Sequence, residues 1–174
     1  GNVYIVIEML NSDMITTVSA EMTPKLVATA YSIGSLDVVW SGDEKKVKFN
    51  DLTSVDTPEN QSIVKLTFLD SGKITIRASL KDYPNVYTDF VFNVVPYKGD
   101  LEMALYDAAS YNMDDYSALR WNNLQLAIRY AKYIYDKKDA TQAEINEAIA
   151  LLERVIGELI LDDSVSTEPI PTVP

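Results

Sequence analysis

Acid–base chemistry in this chain would fall to Asp and Glu, because its 174 residues include neither His nor Cys. Those absences remove a thiolate nucleophile, an imidazole base, an ordinary zinc or copper site and any disulfide. The adjacent carboxylates Asp43-Glu44, Asp114-Asp115 and Asp162-Asp163 all read as loop or cap residues. A glycosidase needs two carboxylates across a cleft, about 5–10 Å apart, with one of them desolvated. Neighbouring carboxylates in turns are solvated instead, so no catalytic residue is assigned and no enzyme is expected. Asp51, Asp56, Glu59 and Asn60 offer hard oxygen atoms but lack the Asp-x-Asp-x-Asp-Gly spacing of a calcium loop. They read as a solvated acidic loop, and no metal or cofactor is assigned. Ser71-Gly72-Lys73 lacks the upstream Gly and the following Ser or Thr of a phosphate loop.

Aromatic side chains are the next candidates. Tyr83 and Tyr87 flank Pro84-Asn85 in an expected loop, where they are placed to meet a sugar ring, and they form a candidate glycan contact. Trp40 follows Val38 and Val39 in an apparent strand and reads as a core residue rather than a sugar platform. The 15 Lys and Arg against 26 Asp and Glu leave a net charge of −11. Nucleic acid is not an expected partner, since phosphate backbones are held by clustered cations. No apolar run approaches the roughly 18–20 residues of a membrane span, so no membrane insertion is expected.

The elements that must carry these residues divide into two textures. Up to about residue 97, runs rich in β-branched and aromatic residues cover 3–7, 25–30, 37–40, 46–49, 62–68, 73–80 and 88–95, with a weaker candidate at 15–19. Several alternate with period two, as in Ile74, Ile76 and Ala78 against Lys73, Thr75 and Arg77. Turn residues separate them at Gly34, Ser41-Gly42-Asp43, Pro58, Asp70-Ser71-Gly72 and Pro84-Asn85, and Asp70-Ser71-Gly72 predicts a hairpin. This pattern predicts a β-sandwich. Beyond Pro96 the period becomes helical. Asp100 is the expected cap of a first helix with Leu101, Ala104, Leu105 and Ala108 on one face. Ser117 caps a second helix to about residue 136, and the capping box Thr141-x-x-Glu144 opens a third to about residue 161. Short connections predict an up-down-up three-helix bundle.

The helical stretch resembles the FIVAR module ("found in various architectures") over about residues 100–161. The resemblance is carried by Tyr116, Ser117, Trp121 and Leu124, then Ala127 and Ala131, then Ala140, Thr141, Gln142, Ala143, Glu144 and Ile145, and finally Ala148, Leu152 and Leu159. Arg120 departs from it, standing where Ser is common. The strand-rich part resembles a bacterial immunoglobulin-like (Big) domain through residues 26–30, Val39-Trp40-Ser41, 72–78 and 90–95. Residues 43–60 depart from that pattern, and a fibronectin-like or carbohydrate-binding sandwich is the alternative. The resemblances imply an accessory region of a large secreted or surface bacterial protein.

The second helix carries two apolar stripes at about 100° per residue. Trp121, Leu124, Ile128, Ala131 and Tyr135 form the expected core stripe. Leu119, Leu126, Tyr130 and Tyr133 form a second stripe on the opposite side and are the candidate interface. It either packs on the β-sandwich, stays semi-exposed with its hydroxyls in water, or meets a partner.

The expected fold class is therefore two-domain, an all-β immunoglobulin-like sandwich followed by an all-α three-helix bundle. The expected divisions are 1–97, 98–161 and a Pro/Thr-rich linker at 162–174. The chain is expected to be a monomeric piece of a longer, extracellular or cell-surface protein. Its expected role is a non-catalytic spacer, display or protein-contact module, with a carbohydrate-binding module of a multimodular glycoside hydrolase as the alternative. Expected partners are the other modules of its parent chain and a surface protein or glycan.

Overall fold

The computed structural model describes residues 2–31 and 37–166. The expected turn at Gly34 and the end of the expected linker, residues 167–174, lie outside them. The chain divides into two compact units, Gly1–Pro96 and Tyr97–Pro174. In the first, the strands β1 (Tyr4–Met9), β2 (Thr17–Ser19), β3 (Lys25–Tyr31), β4 (Val38–Ser41), β5 (Val47–Asp51), β6 (Gln61–Phe68), β7 (Gly72–Leu80) and β8 (Tyr87–Val95) form two four-stranded sheets. Their orders are β1-β3-β6-β5 and β2-β8-β7-β4. All pairs are antiparallel except β2–β8, which is parallel.

Alternation along each strand sends one set of side chains inward. Leu26, Ala28, Val64, Leu66 and Phe68 come from one sheet, and Ile74, Ile76, Ala78, Leu80 and Phe92 from the other, all buried. The two inner faces meet where the Phe68 and Phe92 rings touch edge to face, centroids 5.5 Å apart. A second tie runs from Thr88 Oγ1 on β8 to the Ile5 carbonyl on β1, 2.6 Å away. Trp40 is half-buried rather than fully enclosed, and its indole N–H donates to Ser62 Oγ at 3.0 Å. Gly72 takes the left-handed backbone (φ +89°) that its turn requires. That turn does not close a hairpin, however, because β6 and β7 belong to different sheets.

The second unit contains α1 (Gly99–Ala108), a 3-10 turn (Met113–Asp115), α2 (Ala118–Asp136) and α3 (Gln142–Ser166). Leu101, Leu124, Ala127, Ala131, Ile134, Ile145, Ala148, Leu152 and Leu159 form its buried core. Ser117 Oγ accepts the Arg120 amide at 3.3 Å and so caps α2. Thr141 and Glu144 close the capping box: Oγ1 accepts the Glu144 amide at 3.1 Å, and the Glu144 carboxylate accepts the Thr141 amide at 3.1 Å. Asp100 is not the cap of α1. The helix starts at Gly99, with Lys98 at the cap position and Asp100 in the first turn.

The entry to α1 is fastened by side chains instead. The Tyr97 amide donates to Oε1 of the buried Gln142 at 2.7 Å, and Gln142 Nε2 donates to Asn146 Oδ1 at 2.9 Å. Lys98 Nζ donates to the carbonyls of Tyr135 and Lys137 at 2.7 and 2.8 Å, a cation on orphan acceptors at the end of α2. At the other end, α3 continues to Ser166 and takes in Asp162 and Asp163, where a linker is expected.

Two four-stranded sheets and three α-helices in one polypeptide make the chain mixed β/α. This corrects the expected fold class of an all-β immunoglobulin-like sandwich followed by an all-α three-helix bundle. The physical reason is that period-two and period-3.6 patterns report which face of each element is buried, one element at a time. Sheet order, the parallel β2–β8 pair and the crossing between sheets at Gly72 arise from long-range pairing, which leaves no local pattern.

Two outcomes follow. Replacing Phe92 by Ala empties the contact between the sheets and is expected to cost about 3–5 kcal/mol in urea unfolding. The same truncation at the fully exposed Val55 should stay within about 0.5 kcal/mol. Hydrogen bonds from Lys137 and from the Thr141 backbone hold Glu144 below the usual carboxylate range. Its contribution is therefore complete above the unfolded carboxylate value of about 4.3 and is lost as pH falls through the lower folded value. In acid, the helical melting temperature of Glu144→Gln should fall less steeply with pH than that of the parent.

Candidate functional site

Helix α2, nineteen residues long, packs against α1 and α3, and two neighbours cannot enclose a helix. Leu124, Ala127, Ala131 and Ile134 turn inward and are buried. On the open side, Leu119, Leu126 and Tyr133 are 68%, 60% and 63% exposed. They are spaced by seven residues, which places them on one line about 21 Å long. Tyr130, predicted to share this stripe, is half-buried and packs against the helical core. Its phenol is pushed up by burial first and then by Glu147 and Glu144. The structure thus brings three of the four predicted interface residues together on the surface and turns the fourth toward α3.

Four cations lie on α2 or at its C-cap: Arg120, Arg129, Lys132 and Lys137. Arg120 pairs with Glu158 at 3.4 Å and Lys137 with Glu144 at 2.7 Å, both between α2 or its C-cap and α3. Arg129 and Lys132 are exposed and form no ion pair among the described residues. On the side facing α1, a cleft of about 350 Å³ is lined by Leu105, Tyr111, Trp121, Ile128 and Lys132. Burial there pushes the Tyr111 phenol up, and its ring meets Tyr116 edge-on at 6.1 Å.

The candidate glycan residues lie on the first unit. Tyr83 is exposed in the β7–β8 connection, where its amide bonds the Leu80 carbonyl and its carbonyl accepts the Val86 amide. Tyr87 opens β8 and is also exposed. One face of its ring is covered by the Arg77 guanidinium, 3.7 Å from the centroid. Arg77 is fixed by Asp89, its cross-strand partner, through two hydrogen bonds of 2.7 and 3.0 Å. That pairing raises Arg77 and lowers Asp89. Arg77 and Asp89 were not singled out from sequence; once the β7–β8 register is known, their direct opposition marks them.

Several of the acidic and amide side chains hold local structural hydrogen bonds. Asp89 and Glu144 are both held toward permanent charge, the opposite of what a general acid needs. Asp51 Oδ1 accepts the Thr53 amide at 2.9 Å, and Asn60 Nδ2 donates to the Ala30 carbonyl at 3.2 Å. Among the described residues, no group of three or more acidic side chains is gathered in a way that could hold a metal ion. No described helix is long and apolar enough to cross a membrane.

No protein-family model matches the chain, so neither the FIVAR nor the Big resemblance is shown by a family match. No curated protein matches it either. Among solved structures, the chain is similar to domains 4 and 5 of the S-layer protein SbsC, at 16% identity and a TM-score of 0.38, covering 54% of this chain and 47% of that one. The longer S-layer protein rSbsC(31-844) matches at 15% identity and a TM-score of 0.38, covering 52% of this chain. This chain therefore spans about half and 13% of those two structures. The BIgI domain of beta protein from S. agalactiae, solved bound to CEACAM1, matches at 13% identity and a TM-score of 0.31, over 55% of this chain and 99% of that one.

The exposed line makes a direct prediction for stability. Leu126→Ser with Tyr133→Ser should leave the melting of the helical unit nearly unchanged, because neither side chain is in the core. Leu124→Ala, one turn inward and fully buried, should cost about 2–5 kcal/mol in the same denaturation experiment.

Proposed function

We propose that this chain is a non-catalytic accessory segment of a secreted or cell-surface bacterial protein, and that α2 presents its protein-contact surface. The observation that carries the reading is the line Leu119, Leu126 and Tyr133, three large apolar side chains left in water on one helix. Aligned exposed apolar residues of this kind mark contact surfaces, and Tyr is enriched in them. Arg129, exposed about 60° around the helix from Leu126, supplies a polar contact at the rim. Tyr130 supports the line from beneath through its packing on the helical core. The bacterial surface setting rests on the motif resemblances of the two stretches. Their short connection, from Val95 to Gly99, suits a display or spacer role.

Recognition of glycan by Tyr83 and Tyr87 is the second reading, favoured by their exposure. It is weakened at Tyr87, where Arg77 already occupies one stacking face.

The test is retention of purified bacterial surface proteins and of polysaccharides on the immobilised chain. Saturable protein binding that drops at least tenfold with Leu126→Ser/Tyr133→Ser, and is unchanged with Tyr83→Ala/Tyr87→Ala, is the expected result. Saturable polysaccharide binding lost only in the Tyr83/Tyr87 variant would replace this reading with glycan recognition.

A further inference from the structure

The chain has no Cys, so no disulfide can staple its edge strands, yet it carries 11 tyrosines. Tyr4 opens β1 and Tyr31 closes β3, and the antiparallel register sets them directly opposite each other. Their rings are stacked, with centroids 5.0 Å apart and planes 19° from parallel. At that separation near-parallel rings are offset, so the edge of one lies over the other. Both side chains stand in water, Tyr4 52% and Tyr31 45% exposed. Among the described residues, the other touching tyrosines are Tyr111 and Tyr116, which meet edge-on at 6.1 Å and are half-buried. Stacking and exposure therefore coincide at Tyr4 and Tyr31. Their position also matters to the strand. β1 is an edge strand of its sheet, with β3 as its neighbour, and this pair sits at the end of the ladder where β1 begins.

We propose that Tyr4 and Tyr31 form an oxidative cross-linking site, and that a dityrosine bond between them fastens β1 to β3. The co-reactant is hydrogen peroxide, used by a haem peroxidase that takes one electron at a time. Each phenol gives up one electron and its hydroxyl proton and becomes a phenoxyl radical. The unpaired electron is shared among the oxygen and the ring carbons ortho and para to it, and the para carbon already carries the rest of the side chain. The two radicals therefore join through one ortho carbon each, forming a single carbon–carbon bond. The hydrogen on each joined carbon then moves to oxygen and restores both phenols. In balance, the pair loses two hydrogen atoms and one hydrogen peroxide is reduced to two waters. The protein supplies proximity, since two rings held in contact react within one molecule rather than by encounter. Exposure gives the oxidant access and leaves the rings room to turn from stacked to joined. The bond closes a loop from residue 4 to residue 31 and restricts the unfolded chain as a disulfide does. This inference is independent of the reading of α2 as a contact surface.

Treating the whole chain with a haem peroxidase and hydrogen peroxide tests this, at low-micromolar concentration to disfavour bonds between copies. Dityrosine fluorescence should appear while the protein still runs as one copy on a denaturing gel. Peptide mass mapping should find the segments holding Tyr4 and Tyr31 joined, and lighter than their sum by two hydrogen atoms. Tyr4→Phe and Tyr31→Phe each keep the ring, and each should lower single-copy dityrosine at least tenfold, whereas Tyr111→Phe should leave it unchanged. In urea the preference for this pair should disappear. The joined chain should melt at a higher temperature than the untreated one, and Tyr4→Phe carried through the same treatment should show no such rise. Absence of dityrosine, bonds found only between copies, bonds mapped mainly to other tyrosines, or a preference that survives in urea would each overturn the site. A Tyr4–Tyr31 bond that leaves the melting temperature where it was would overturn its role as a fastening.

Discussion

A helix held by two neighbours must leave part of its circumference uncovered, and the helical unit is organised around how α2 meets that constraint. Small residues decide which part is covered. Ala127 and Ala131 on α2 and Ala148 on α3 are all buried, allowing close approach and carrying Leu124 and Ile134 into the core. Once that face is fixed, the rise and turn of the helix leave Leu119, Leu126 and Tyr133 outside. Their exposure follows from the packing of the other face, so the surface is as well defined as the core beneath it.

Much of this was legible locally. Capping at Ser117 and at Thr141-Glu144 involves residues at most three apart, and strand alternation needs only the strand itself, so sequence patterns find them. What escaped depends on distant partners. Asp100 looked like the cap of α1, but the chain entering that helix is held by Gln142, 45 residues on. Asp70-Ser71-Gly72 has hairpin chemistry, and Gly72 does adopt the left-handed backbone, yet the flanking strands join different sheets. The same limit explains the fold class: texture separates strands from helices, while strand order and the parallel β2–β8 pair depend on contacts across the chain.

The candidate surface was legible in part for a related reason. Angular position alone grouped Tyr130 with Leu126 and Tyr133, and a helical wheel has no information on which neighbour stands where. With α3 on that side, about 40° of rotation from Leu126 is enough to turn Tyr130 from surface to support. The exposed Met103 and Tyr106 lie off the predicted α1 stripe of Leu101, Ala104, Leu105 and Ala108, and that displacement was their available signal. Tyr87 shows the converse. Its exposure was expected, whereas the guanidinium over its ring required the β7–β8 register that opposes Arg77 to Asp89.

The fastening at the start of α1 has a mechanical meaning. Tyr97 and Lys98 are bonded to the first residue of α3 and to the carbonyls that end α2. Tension arriving along the backbone at residue 97 is therefore divided among the ends of three helices at once. Such a load must break several short hydrogen bonds together before α1 can be peeled away alone. The few residues that set the entry angle of α1 are thus also the ones through which such a pull would be resisted.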